Sequence, residues 1–197
     1  MNNKRKTLFA LSGVSVAAIW AKPIVTSMML PAHAMTSAAC ETPYSVGDIG
    51  PGGGCVFFVS NGGCNGLEAA PLDQSSGSPW GCGVTPTGAT GLAIGTGAAN
   101  TIAILGNACS VPVNAAEVAS NYSGGGFNDW FLPSEDELNE MYIQLHLNGM
   151  CNFTNLFYWT SSELVAGGAR NQDFASGNQF IGNAGGNTIS VRAARAF

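Results

Sequence analysis

Six cysteines, at positions 40, 55, 64, 82, 109 and 151, are the residues of this chain best equipped for chemistry. None stands in C-x-x-C spacing, and only one histidine, His146, follows the first of them. The ligand pattern of a zinc site is therefore missing, and neither a metal nor another cofactor is expected. Disulfide pairing is the expected chemistry if the chain meets oxidising conditions. Cys40 carries a second option. Ser37-Ala38-Ala39-Cys40 resembles a lipobox, with Ser37 where leucine is usual. A lipidated Cys40 would leave five cysteines and one without a partner, whereas an unmodified Cys40 would allow three bridges.

Other reactive groups have simpler roles. Glu135-Asp136-Glu137 could be read as paired catalytic carboxylates, but Ser134 three places before Glu137 makes a capping box, and three acids suit the positive end of a helix dipole. His146 falls near the end of the same helix, where a cation is favoured. The run Gly50-Pro51-Gly52-Gly53-Gly54 leads into a strand and lacks a Gly-Lys-Ser/Thr ending, so it is not a phosphate loop. No nucleophile elbow, H-E-x-x-H or Ser/His/Asp set is present, and the chain reads as a non-enzyme.

These residues need a frame, and charge shows where it begins. Lys4, Arg5, Lys6 and Lys22 open the chain. Beyond them only Arg170, Arg192 and Arg195 are basic, against all 12 acidic side chains, so the later part is about nine charges negative. That excludes a nucleic-acid partner and docking on anionic lipid through a basic surface. Lys4-Arg5-Lys6, the apolar stretch Leu8–Ala21 and Ala32-His33-Ala34 have the layout of an export signal over residues 1–34, twin-arginine-like with lysine in the second basic place. Residues 35–45 read as a tether, and 46–197 as one domain.

Within that domain Cys55–Val59 is rich in β-branched and aromatic residues and predicts a buried strand. Residues 60–96 read as mostly loop. Helices are expected near Ala98–Leu105 and Val113–Tyr122, and from Ser134 to Asn148-Gly149, with Leu138, Met141, Tyr142 and Leu145 on one face. Phe157–Glu163 predicts a strand, residues 164–188 a loop rich in Gly, Ala and Asn, and Ile189–Phe197 one terminal strand.

Several blocks then occur in a telling order: Val46–Val59, Gly66–Pro71, Trp80-Gly81-Cys82, Gly95–Thr101, Asn128–Ser134, Tyr158–Glu163 and Val191–Phe197. Together, over roughly residues 44–197, they resemble the C-terminal domain of the Legionella collagen-like adhesin, a family of exported bacterial domains. The resemblance implies an α+β, C-type lectin-like fold of the formylglycine-generating-enzyme type, with two or three helices on a twisted, mainly antiparallel sheet. It also implies a bridge between Cys82 and Cys109, with Cys55–Cys64 as a local addition. The calcium triplets of animal lectins are absent, and Asn128-Asp129-Trp130 reads as a structural turn.

Part of that family consists of the variable proteins of diversity-generating retroelements, and the layout here resembles them. The implied role is a surface-displayed protein, anchored to the outer membrane by lipid or else secreted or periplasmic. It would bind an external protein or glycan, touching the membrane only through an anchor. The implied contact residues are Leu164, Val165, Ala166, Gly167, Gly168, Arg170, Asn171, Asp173, Ser176, Asn178, Phe180, Ile181 and Asn183. Arg170, Phe180 and Ile181 are the expected anchors, because such side chains dominate binding hot spots. Asparagine codons rewritten at adenines cannot yield glutamine. In the pattern of the family it resembles, Gln172 and Gln179 belong to the frame, with Ala169, Phe174 and Gly177. The alternative is an adhesin or glycan-binding protein of fixed specificity.

Overall fold

The structure, a computed structural model, describes Cys40 and residues 42–81, 83–107 and 113–197. The export signal, residues 35–39 and 41 of the tether, and the Cys82–Cys109 bridge lie outside the described residues.

Among the described residues, eight strands and three α-helices follow in the order β1 (Cys55–Ser60), β2 (Asn65–Ala69), β3 (Ser75–Ser78), α1 (Gly97–Leu105), α2 (Ala115–Ser120), α3 (Glu135–Glu140), β4 (Phe157–Val165), β5 (Gly168–Asp173), β6 (Gln179–Asn183), β7 (Ile189–Val191) and β8 (Ala194–Ala196). One sheet has the order β1-β2-β8 and the other β3-β7-β4-β5-β6. Every pairing is antiparallel except β4 with β7, which meet at Tyr158 and Ser190. The class is α+β, as the sequence implies.

Three expectations need correcting, while the stretch 60–96, mostly loop as expected, also carries β2 and β3. β2 is held between β1 and β8, so pairing on both sides overrides its weak strand propensity. Residues 164–188 are not a loop, because β4 runs on to Val165 and β5 and β6 follow as hairpins. The terminal strand is two strands in different sheets, parted at Arg192-Ala193. The long helix leaves α geometry after Glu140 and continues as a π-helical turn over Met141–His146, where the N–H of Leu147 donates to the carbonyl of Tyr142.

The cysteines also pair differently. Cys40 is bonded to Cys64 and Cys55 to Cys151, with Cα separations of 5.3 and 6.2 Å. The Cys55–Cys64 bridge is therefore not formed, and the sulfur of Cys40 is not free to carry lipid. The reason is local. The N–H of Tyr44 donates to the carbonyl of Gly63, which brings the tether beside Cys64. Cys55 instead packs in the same apolar cluster as Cys151, at the end of the α3 segment.

β4 organises the core because successive side chains leave it on opposite faces. Trp159 joins Trp80, Ile104, Trp130, Val191 and the alanines of α2. Tyr158 joins Phe57, Leu138, Met141, Leu145 and Phe174. Leu138, Met141 and Leu145 are buried and Tyr142 half-buried, which is the apolar face expected of that helix.

Much of the remaining chain is loop, and buried glutamates hold it. Glu68, fully buried on β2, accepts from the N–H of Gly52 (2.9 Å) and Gly54 (3.0 Å) and from Arg195 Nη1 (2.9 Å). The glycine run thus cradles an anion, but that anion is the protein's own carboxylate. A Cβ on Gly52 would come within 2.6 Å of Glu68 Oε1, so the approach requires glycine. Glu163 accepts from the N–H (2.8 Å) and hydroxyl (2.8 Å) of Thr87 and from the N–H of Gly88 (3.2 Å). Glu137 closes the capping box with Ser134 and also accepts from the N–H of Gly95 (2.8 Å) and Gly97.

Two arginines complete the frame. Arg195 also pairs with Asp129, so Asn128-Asp129-Trp130 is a structural brace. Arg192, 1% exposed, pairs with Asp73 and donates to the carbonyls of Ala70, Cys151 and Asn152. Turning this side chain inward is what divides β7 from β8.

Removing Glu68 would leave Arg195 Nη1 and two amides buried without their acceptor, although Asp129 still holds Arg195 Nε. Glu68→Ala is expected to lose about 3–5 kcal/mol of stability in urea unfolding, the usual cost of breaking a buried charge pair. Burial raises the Glu137 carboxyl above its ordinary 4.5, outweighing the hydrogen bonds from Ser134, Gly95 and Gly97 that lower it. The native chain then keeps a proton that the unfolded chain releases, so this group's contribution is full below about pH 4.5 and is lost as pH rises through the raised value. Glu137→Gln should flatten that decline in a pH series of unfolding curves; an unchanged slope would contradict it.

Candidate ligand-binding site

All five strands of the larger sheet contribute to a hollow of about 460 Å³. Ser76 comes from β3, Phe157 from β4, Asn171 from β5, Phe180, Ile181 and Gly182 from β6, and Ile189 and Ser190 from β7. Leu156, Asn187 and Thr188 close it from the connecting segments. No lining residue is charged. Aromatic and aliphatic groups alternate with amides and hydroxyls, the composition of a site for a neutral ligand.

The register explains this face. Trp159 pairs with Asn171, and Asn171 with Phe180, so all three point the same way. Trp159 lies in the core, and a Cβ at Gly182 would come within 2.6 Å of its ring. Glycine there lets β6 lie close over the tryptophan. Phe157, two residues before Trp159, emerges 44% exposed and meets Phe180, 46% exposed, with ring centroids 5.9 Å apart. Two aromatic rings thus stand exposed on a rigid base.

Of the expected contact residues, Asn171, Phe180 and Ile181 reach the hollow. The others lie elsewhere. Leu164 and Val165 end β4, and Ala166 and Gly167 form the β4–β5 turn. Gly167 approaches the backbone of Gly83 and Val84 there, and Val84 and Val165 are well exposed. Asp173, Ser176 and Asn178 occupy the β5–β6 turn. Asp173 accepts from the Ser176 hydroxyl (2.7 Å) and the Ala175 N–H (2.9 Å), so its carboxylate serves the turn. Asn183 accepts from the N–H of Gly185 and Gly186, shaping the path to β7. Gly168 is buried between Val165 and Ile181.

Arg170 is not a free anchor. It leaves β5 on the face opposite Asn171 and pairs with Glu135 of α3 at 2.9 Å. Burial raises the Glu135 carboxyl, and Arg170 partly offsets this. Gln172, on the same face, donates to Asn139 and to the carbonyl of Gly177. That face of β5 is therefore committed to the helix. Burial sorts the expected frame likewise: Ala169, Gln172 and Phe174 are buried, and Gly177, at φ +78°, abuts Tyr142, whereas Gln179 is exposed and nothing in the structure explains a frame role for it.

Sequence reasoning missed Ser76, Leu156, Phe157, Gly182, Asn187, Thr188, Ile189 and Ser190. For Phe157 the signal was present, since alternation with buried Trp159 at a strand's first residue predicts the same face at its exposed end. Ser76 could come only from the non-local pairing of β3 with β7.

His146 stacks among Tyr142, Phe174 and Phe153, with centroids 5.6, 5.1 and 6.5 Å away, in keeping with a structural role. Among the described residues no group of three or more His, Cys, Asp or Glu could hold a metal ion, and no helix is long and apolar enough to cross a membrane. No protein-family model matches the sequence, and no curated protein matches it.

Phe180→Ala should leave the unfolding free energy within about 0.5 kcal/mol of the parent, as for an exposed residue. Arg170→Ala should destabilise the fold, because it strands the buried Glu135. Unfolding curves of the two variants separate them; a larger loss for Phe180→Ala would place Phe180 in the core.

Proposed function

We propose that the chain is an exported, non-enzymatic ligand-binding protein of C-type lectin-like fold whose contact surface is the hollow between Phe157 and Phe180. The observation that carries this reading is the pair of exposed aromatic rings beside amides and hydroxyls, on a sheet whose back is fixed to the core. Exposed aromatics on a preorganised base lose little entropy on binding. The charge-free lining favours an uncharged protein epitope or neutral glycan over a sulfated one, which would seek a basic surface.

The resemblance to variable proteins of diversity-generating retroelements supplies the biological setting. The segment 164–188 supplies Asn171, Phe180–Gly182, Asn187 and Thr188 to the hollow, while Ala169, Gln172 and Phe174 anchor it from within. A segment built that way can change its outer residues and keep its fold. The disulfides fit an oxidising compartment outside the cytoplasm. With Cys40 bonded to Cys64, the secreted or periplasmic alternative is favoured over a lipid anchor. A fixed-specificity adhesin would use the same hollow.

Sequencing the 3′ end of the gene across isolates tests the setting. Substitutions are expected at Asn171, Phe180, Ile181 and Asn187, with Ala169, Gln172 and Phe174 constant. An invariant segment would favour the adhesin. Binding itself is tested on a neutral-glycan and protein array: Phe157→Ala with Phe180→Ala should abolish any signal of the parent while the fold persists. Signal retained in the double variant would move the site elsewhere.

A further inference from the structure

β6 is an edge strand, paired only with β5. The N–H of Ala184 donates to the carbonyl of Gly167, and that of Asp173 to the carbonyl of Asn178. In an antiparallel ladder these fix the hydrogen-bonded pairs between them as 169 with 182 and 171 with 180. Gln179, Ile181 and Asn183 therefore turn their backbone groups away from β5, to the outside. The Asn183 N–H is closed by Asn187 Oδ1 at 2.7 Å, and its carbonyl by the N–H groups of Gly186 (3.3 Å) and Asn187 (3.0 Å). Gln179 and Ile181 have no such partner among the described residues.

Natural edge strands are usually guarded by charge, proline or a bulge. This one has none of these. The 18 residues Phe174–Val191 contain no charged side chain and no proline. The β5–β6 register is regular, and Phe180 and Ile181 are 46% and 54% exposed. An unguarded edge in a chain otherwise so acidic is a feature to be explained.

We propose that β6 pairs with β6 of a second copy of this chain, antiparallel about a two-fold axis at Ile181, joining the two larger sheets into one. The sequence of the strand is complementary to itself in this register. Ile181 meets Ile181 as a hydrogen-bonded pair using the outward groups of both. Phe180 lies opposite Gly182 of the partner copy on the face of the hollow, a large side chain against a position that has none. Gln179 lies opposite Asn183, amide against amide, with the 183–187 turn opening to free both the N–H and the carbonyl of Asn183. Each copy thus places its Phe180 ring at the rim of the other's hollow, and the two hollows flank the axis. The interface is isologous and closes at two copies. It does not depend on what the hollow binds.

Long-range charge opposes the pairing, because each exported copy is about nine charges negative. Salt screens that repulsion without weakening the neutral edge, so association should strengthen with ionic strength. Sedimentation velocity of the exported chain over a concentration series is expected to show a monomer–dimer equilibrium of that salt dependence. Ile181→Lys should remain monomeric throughout. Cysteine trapping provides a reading that does not rely on a disruptive change. Across a hydrogen-bonded antiparallel pair the Cα atoms lie about 5.5 Å apart, within reach of a disulfide. Ile181→Cys should therefore give a covalent dimer on mild oxidation, whereas Gln179→Cys, which faces Asn183, should not. A parent that is monomeric at every concentration, a dimer that survives Ile181→Lys, or equal cross-linking at both positions would each overturn the proposal.

Discussion

The carboxylate of Glu68 receives two glycine amides and a guanidinium in a place that excludes water. A charge so placed is tolerable only when its acceptor sites are filled, and here they are filled from two distant parts of the chain. The Gly50–Gly54 turn arrives from one side and the C-terminal strand β8 from the other. The same device recurs: Glu163 holds the segment at Thr87-Gly88, and Glu137 holds Gly95–Gly97. In a domain with few helices and long connections, these acids supply the backbone partners that regular structure supplies elsewhere.

This constraint gives the hollow its rigidity. Glu163 lies near the end of β4, and its bonds to the 87–88 segment pin the strand whose first residue is Phe157. Arg195, held by Glu68, fixes β8 beside β2, and Arg192, held by Asp73, sends β7 into the other sheet beside β4. The Trp159 ring then supports Gly182, and Phe180 stands clear on the outside. The face is thus assembled from strands far apart in sequence, and its outer residues carry little of the stability.

What could be read in the sequence was local. The capping box at Ser134 and Glu137, the strands at Cys55–Val59 and Phe157–Glu163, and the three helix positions all follow from spacing and residue type. Non-local pairing was not legible. β2 and β3 contain Gly, Ser, Ala and Glu, and they are strands because their neighbours are. Arg170 reads as a hot-spot anchor by type, yet its partner Glu135 lies 35 positions away on α3. Asp173 and Asn183 read as contacts but serve turns, a role their side chains favour wherever the backbone reverses. The cysteines followed the same rule, for their chemistry was clear and their partners depended on the fold.

Native-state hydrogen exchange tests the central claim, that buried glutamates lock the loops. The amides of Gly52, Gly54, Thr87, Gly88 and Gly95 lie outside helices and strands and would ordinarily exchange through local fluctuation. If carboxylates hold them, they should exchange only by the large-scale opening that exposes the core, at rates like those of β4. Free exchange at these five positions, with β4 protected, would show that the loops move independently of the core and would contradict the account.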